Sequence, residues 1–159
     1  MSVRTVGIGE WSVSSEPSDI IKTYALGSCV AVIIYDTRLL IGGMIHIALP
    51  DSRVDAEKAR SLPGYFADTG LPVMIEEMKR QGAIRGNVWV KLAGGASVMD
   101  PGCFFDIGKR NILAAKRILW GSSLGPMAED SGGSLSRTVS LSVANGETTI
   151  SSGKKTWTI

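Results

Sequence analysis

Histidine is the scarcest chemistry-bearing residue in this chain: one in 159, His46. A metal centre built from imidazoles is therefore excluded. Cysteine is almost as rare. Cys29 and Cys103 share no CxxC-like spacing, which argues against a disulfide scaffold, a zinc site or a dithiol redox centre. Aromatic residues make up only 6%, and the four tryptophans are too scattered to form a platform for stacking bases. No apolar run approaches the roughly 18 residues of a membrane span, so no membrane insertion is expected. The start, Met1-Ser2-Val3-Arg4-Thr5, lacks the apolar core of a secretory signal, and a reducing cytoplasm is the expected location. A net charge of +2 is too small to argue for nucleic acid. Gly94-Gly95-Ala96 follows a strand-like run but lacks the Lys-Ser/Thr ending of a phosphate loop. Neither a cofactor nor a metal is expected.

What is present is a hydrophobic content of 44% in a length suited to one domain, residues 1–159, with no repeat or linker to divide it. Val3 to Gly9 and Trp11 to Val13 read as short strands. Val30 to Tyr35 is a continuous apolar, β-branched run suited to a strand buried on both faces. Asp36-Thr37-Arg38 supplies a turn, and Leu39 to Leu49 reads as the returning strand, ended by Pro50. Asp68 or Thr69 can cap a helix running to Gly82 with Pro72 in its first turn, and Glu76 is spaced to pair with Arg80. Val88 to Ala93 reads as a strand and Ile107 to Trp120 as a helix capped by Asp106. Strands are expected near Pro126 to Glu129, over Arg137 to Val143 and near Thr148 to Ser151, the last two joined by a hairpin at Asn145-Gly146. This order predicts an α+β fold, a layered sandwich rather than a doubly wound sheet.

The chemistry concentrates on Cys29. A thiol nucleophile needs a proton acceptor, and His46 is the one imidazole available. A two-residue turn at Thr37-Arg38 would set Cys29 directly opposite His46, and a three-residue turn would move the pair to a diagonal. Gly27 permits an unusual backbone angle, so N–H groups near Ser28 and Cys29 could converge as an oxyanion hole. A thiol pKa lowered by His46 would establish the pair physically. The group orienting the ring stays open among Thr23, Asp51, Asp55, Asp100, Asp106 and Asp130. On these residues alone, a core cysteine and a satisfied histidine explain the pair equally well. Cys103 has no histidine to serve it and reads as loop or core filler.

The runs Thr23-Tyr24-Ala25-Leu26-Gly27-Ser28-Cys29-Val30 and Ile41-Gly42-Gly43-Met44-Ile45-His46-Ile47-Ala48-Leu49-Pro50 resemble the signature of the chemoreceptor glutamine deamidase family CheD. Phe66-Ala67-Asp68-Thr69-Gly70, Gly94-Gly95-Ala96, Ile107-Gly108-Lys109-Arg110-Asn111 and Ala128-Glu129-Asp130-Ser131-Gly132-Gly133 extend the resemblance in order to about residue 140. It implies a catalytic trio of Cys29, His46 and Thr23, with Gly27 and Ser28 supporting the oxyanion. It also implies stacked mixed β-sheets with flanking helices, as in bacterial toxin deamidases. The implied activity is hydrolysis of glutamine side chains on the helical cytoplasmic part of chemoreceptors, yielding glutamate and ammonia through a thioester. A CheC-class phosphatase is the implied partner. The run Asp130 to Arg137 departs from the family pattern, although Arg137 is retained. Two other readings fit the same residues: a non-catalytic adaptor that binds the phosphatase and receptors, and a cysteine peptidase.

Overall fold

The structure, a computed structural model, describes residues 1–83, 85–97 and 106–159. The expectations for Asp100 and Cys103 lie outside the described residues. Val30–Asp36 forms β4, and every one of its residues is buried. A strand covered on both faces must be the middle of a stack. β4 lies between β5 (Ile41–Ile47) and β6 (Val88–Gly94), antiparallel to both. β2 (Trp11–Ser14) pairs antiparallel with β5, and β7 (Ala128–Ser131) pairs parallel with β6, giving the order β2-β5-β4-β6-β7. A second sheet has the order β1-β3-β8-β9-β10, from β1 (Ser2–Thr5), β3 (Asp19–Leu26), β8 (Arg137–Ser142), β9 (Thr148–Ser152) and β10 (Lys155–Thr158). Only its β1–β3 pair is parallel.

The pleat of β4 and β5 divides their side chains between two cores. Ala31, Ile33, Tyr35 and Met44 pack against Ile21, Leu26, Val139, Leu141 and Ile150 of the second sheet. Val30, Val32, Ile34, Ile45 and Ile47 pack against helices on the other side. Those helices are α2 (Ala67–Arg80), contributing Leu71, Met74, Ile75 and Met78, and α3 (Ile107–Gly121), contributing Ala115 and Leu119. A short α1 (Ala56–Ser61) precedes them. The result is the expected α+β arrangement, two stacked mixed sheets with helices flanking one of them.

Several elements differ from the sequence expectation. β3 was not foreseen, because its alternation holds only to Thr23. Ala25 then adopts a left-handed φ of 56° and the register with β8 shifts before Leu26. β10 was also unforeseen, being a mostly exposed edge strand. The first strand ends at Thr5, and the strand expected near Pro126 lies at Ala128–Ser131. Helix α2 starts at Ala67, not at Asp68 or Thr69, because Ala67 N–H donates to the Leu49 carbonyl at 2.9 Å. Pro72 therefore sits inside the helix. Asp68 instead accepts from the Ser52 N–H and hydroxyl. Arg80 pairs with Glu77 at 2.7 Å rather than with Glu76. Asn145-Gly146 does join β8 to β9, with Gly146 at φ 77°.

At the end of β6 the backbone passes very close to the entrance of β4. Gly94 has φ +107°, and a Cβ there would lie 2.3 Å from the Cys29 carbonyl oxygen. Gly133 also has positive φ, +67°, but open space around it. Gly94→Ala is expected to destabilise the protein by about 3 kcal/mol or more, and Gly133→Ala by about 1. Urea unfolding of both variants checks this, and equal losses would contradict the close approach.

Candidate functional site

β5 places His46 on the same face as Met44, toward the second sheet. β3 places Thr23 on the same face as Ile21, toward the first. The two side chains meet between the sheets, with Thr23 Oγ1 2.7 Å from His46 Nδ1. Thr23 Oγ1 also donates to the Val6 carbonyl at 2.6 Å. A hydroxyl has one proton, and a carbonyl can only accept it. Thr23 Oγ1 therefore accepts from the ring, and the neutral imidazole carries its hydrogen on Nδ1. This leaves Nε2 as the basic nitrogen. It is buried without a hydrogen-bond partner among the described residues, in a residue only 2% exposed.

The other orienter candidates are engaged elsewhere. Asp51 holds Arg53, Asp55 caps α1 through the Lys58 N–H, and Asp106 precedes α3. Asp130 accepts from Arg137 at 2.9 Å and from Trp157 at 2.5 Å. Of the described candidates, Thr23 is the one that holds the ring.

Cys29 enters β4 half-buried, packed against the inter-sheet core. The hairpin register differs from the two-residue-turn expectation. Asp36 pairs with Ile41, leaving a four-residue loop, Thr37 to Leu40. The Asp36 side chain builds that loop by accepting from the Arg38 and Leu39 N–H groups at 2.9 and 2.8 Å. Ala31, not Cys29, faces His46. Cys29 lies two residues before Ala31, so it occupies the diagonal position on the same face. Diagonal neighbours are about 7–8 Å apart, a distance that the short thiol side chain does not span by itself, and among the described residues Nε2 has no hydrogen-bond partner.

The loop before Cys29 is held by its carbonyls. Ala96 N–H donates to Gly27 O and Gly95 N–H to Cys29 O, each at 2.8 Å. Asn111 Nδ2 donates to Ser28 O at 2.9 Å. Across a trans peptide, the N–H after each carbonyl points the opposite way. The Ser28 and Cys29 N–H groups thus face away from β6 and α3, and neither has an acceptor among the described residues. The left-handed residue at this entrance is Ala25, rather than the glycine expected to bend it. Asn111, at the start of α3, is the site residue whose contacts the sequence did not disclose. Its place on a helix well separated in sequence gave no sign of them.

Burial dominates the electrostatics. It raises the Cys29 thiol above its ordinary value. It lowers the His46 imidazole to about 4, against the opposing influences of the Glu10 charge and the Val6 carbonyl. The resting state is therefore neutral thiol beside neutral imidazole, not the lowered thiol pKa that an ion pair would give. Such a pair suits general-base activation of the thiol during attack on a carbonyl carbon. Among the described residues, no cluster of His, Cys, Asp and Glu could hold a metal ion.

Taken together, the two-sheet α+β sandwich and its buried Thr–His pair beside a cysteine define a protein with a candidate thiol–imidazole site. A protein-family model described as "CheD chemotactic sensory transduction" matches residues 48–152. The chain is 51% identical over its whole length, and the relative's, to "Probable chemoreceptor glutamine deamidase CheD" of Syntrophotalea carbinolica. It is 43% identical to "Probable chemoreceptor glutamine deamidase CheD 1" of Syntrophus aciditrophicus, over 92% of each chain. The chain belongs to the CheD family. A solved structure titled "Crystal structure of Bacillus licheniformis hypothetical protein YfiH" superposes with a TM-score of 0.48 at 10% identity. That superposition covers 76% of this chain and 49% of the other.

The depressed imidazole pKa has a consequence for stability. Between pH 6.5 and about 4 the unfolded His46 binds a proton that the native ring does not. Stability therefore falls as pH drops through this window, by roughly 3 kcal/mol for a shift of this size. Urea titrations from pH 7 to 4 should show wild type losing about this much more than His46→Gln. Parallel losses would contradict a neutral buried ring.

Proposed function

We propose that this chain is a protein-glutamine glutaminase that deamidates glutamine side chains on the cytoplasmic helices of chemoreceptors. Cys29 is the nucleophile, His46 the base and Thr23 the residue that orients it. The names of the curated relatives supply the substrate. The observation that carries the chemistry is the imidazole pinned by Thr23 through Nδ1, with Nε2 unpartnered on the face shared with Cys29.

Cys29 Sγ attacks the carboxamide carbon while His46 Nε2 takes the thiol proton. The Ser28 and Cys29 N–H groups receive the oxyanion. Collapse of this intermediate breaks the C–N bond, and the proton on Nε2 goes to the departing nitrogen, releasing ammonia. A γ-glutamyl thioester remains. His46 Nε2 then deprotonates a water that attacks this thioester, and C–S cleavage returns the proton to the thiolate. The product is glutamate. Sγ and Nε2 are not hydrogen-bonded in the free protein, so substrate entry must bring them into line, as is common in free enzymes.

Burial also favours a side-chain amide over a backbone one. A half-buried thiol between two sheets admits a slender carboxamide more readily than an extended chain. This supports a deamidase over a peptidase. The cytoplasmic location follows from this substrate, and no described helix is long and apolar enough to cross a membrane. A CheC-class phosphatase as partner rests on the family resemblance, as does the adaptor role. In the adaptor reading Cys29→Ala would leave function intact.

Intact-mass measurement of a receptor cytoplasmic fragment tests the reaction. Each turnover should add about one dalton without shortening the chain. Cys29→Ala should abolish the gain, His46→Gln should lower the rate by about 10²–10⁴-fold, and Thr23→Val by a smaller factor of about 10–10². Chain cleavage, or an active Cys29→Ala variant, would refute the assignment. Because the free-enzyme base stays neutral down to about pH 4, the acid limb of kcat/KM should fall there. A limb at the ordinary imidazole value would contradict the buried base.

A further inference from the structure

Asn111 is 0% exposed, and its one nitrogen, Nδ2, donates to two backbone carbonyls, Ser28 at 2.9 Å and Ala48 at 3.0 Å. Its Oδ1 is buried with no hydrogen-bond partner among the described residues. Exchanging the amide's nitrogen and oxygen would set an oxygen against two carbonyl oxygens, so the orientation is fixed by the acceptors. A buried amide that leaves its own acceptor unused contributes less to net stability than a fully paired one. What it gains here is placement.

The two carbonyls it joins belong to the two chain segments of the site. Ser28 leads into β4, and Ala48 follows β5, two residues beyond His46. By peptide planarity, the direction of the Ser28 carbonyl sets the direction of the Cys29 N–H. The neighbouring carbonyls, Gly27 and Cys29, are held by the backbone of Ala96 and Gly95. Ser28 O is the one held by a side chain. The start of α3 is seated against this same backbone: a Cβ at Gly108 would lie 2.4 Å from Gly95 O and 2.7 Å from Ala96 O.

We propose that Asn111 is a positioning residue of the deamidation site, aiming the Cys29 N–H as an oxyanion donor and tying the Cys29 loop to the strand that carries His46. This rests on the glutaminase reading given above. It assigns α3 a role in the transition state without any contact to the substrate. The oxyanion forms only once the carboxamide carbon is attacked, so the effect belongs in kcat rather than KM.

The test compares two reactions of the same thiol. Iodoacetamide alkylates Cys29 by displacement and forms no oxyanion, whereas deamidation needs one. In Asn111→Ala, kcat on the receptor fragment should fall by about 10–10²-fold, with KM and the alkylation rate each within about twofold of wild type. An unchanged kcat, or a matching fall in alkylation, would overturn the proposal. A measurement on wild type stands independently of how the variant folds. A receptor peptide carrying the γ-semialdehyde of glutamate in place of glutamine is captured by Cys29 as a hemithioacetal. In ¹⁵N-labelled protein this adduct should shift the Cys29 amide proton downfield while the Asn111 side-chain protons exchange slowly. An unshifted Cys29 amide, or rapid exchange at Asn111, would equally overturn it. Cys29→Ala is the control: residual deamidation there would refute the glutaminase reading itself, whatever Asn111 does.

Discussion

Everything at this site depends on a single proton in the hydroxyl of Thr23. The Val6 carbonyl takes that proton, so the oxygen is left to accept from His46 Nδ1. One hydrogen-bond chain thereby crosses from the second sheet to the first and decides which ring nitrogen is basic. Were the hydroxyl turned toward the ring, Val6 O would lose its donor in the core and the imidazole would present the wrong nitrogen to the thiol. A buried carbonyl without a donor costs about 1–3 kcal/mol, enough to make the observed arrangement strongly preferred. An aspartate in this place would have stabilised imidazolium. A hydroxyl does so less well, so under the proposed mechanism slow turnover is expected.

Burial then sets how the pair works. It lifts the thiol and lowers the imidazole, so their proton affinities move apart in the direction that disfavours an ion pair. In the proposed mechanism the thiolate therefore forms as attack proceeds instead of waiting in the resting protein. Such a thiol resists adventitious oxidation and alkylation, whose rates follow thiolate content. In the proposed mechanism the same arrangement places a premium on the backbone N–H donors, because much of the charge created in the transition state would sit on the oxygen they face. The hydrogen bonds to the Gly27 and Ser28 carbonyls keep those donors pointed away from β6 and α3.

The architecture was largely legible in the residues. The β-branched run Val30 to Tyr35 announced a strand buried on both faces, and the layered α+β order followed from it. The proposed pairing of Cys29 with His46 was legible because a single histidine leaves no other imidazole. What escaped was tertiary. β3 carries Thr23, but its alternation breaks at the left-handed Ala25, so the third member of the site was reached only through family resemblance. The hairpin register is not readable from turn residues alone, because Asp36 folds back to cap its own four-residue loop. Helix α2 began earlier than its capping residues suggest, because a bond to Leu49 decided the start. Asn111 was invisible for a simpler reason: its two partners are 83 and 63 residues away in sequence.

With one histidine in the chain, the protonation state of the ring can be read without assignment ambiguity. ¹⁵N chemical shifts of the imidazole, followed from pH 8 to 4, test the central claim most directly. A neutral ring is expected throughout most of this range, with Nδ1 of the proton-bearing type and Nε2 of the unprotonated type, and protonation only near pH 4. Thr23→Val is expected to release this preference. A ring protonated on Nε2 alone, or already an imidazolium at pH 6, would contradict it.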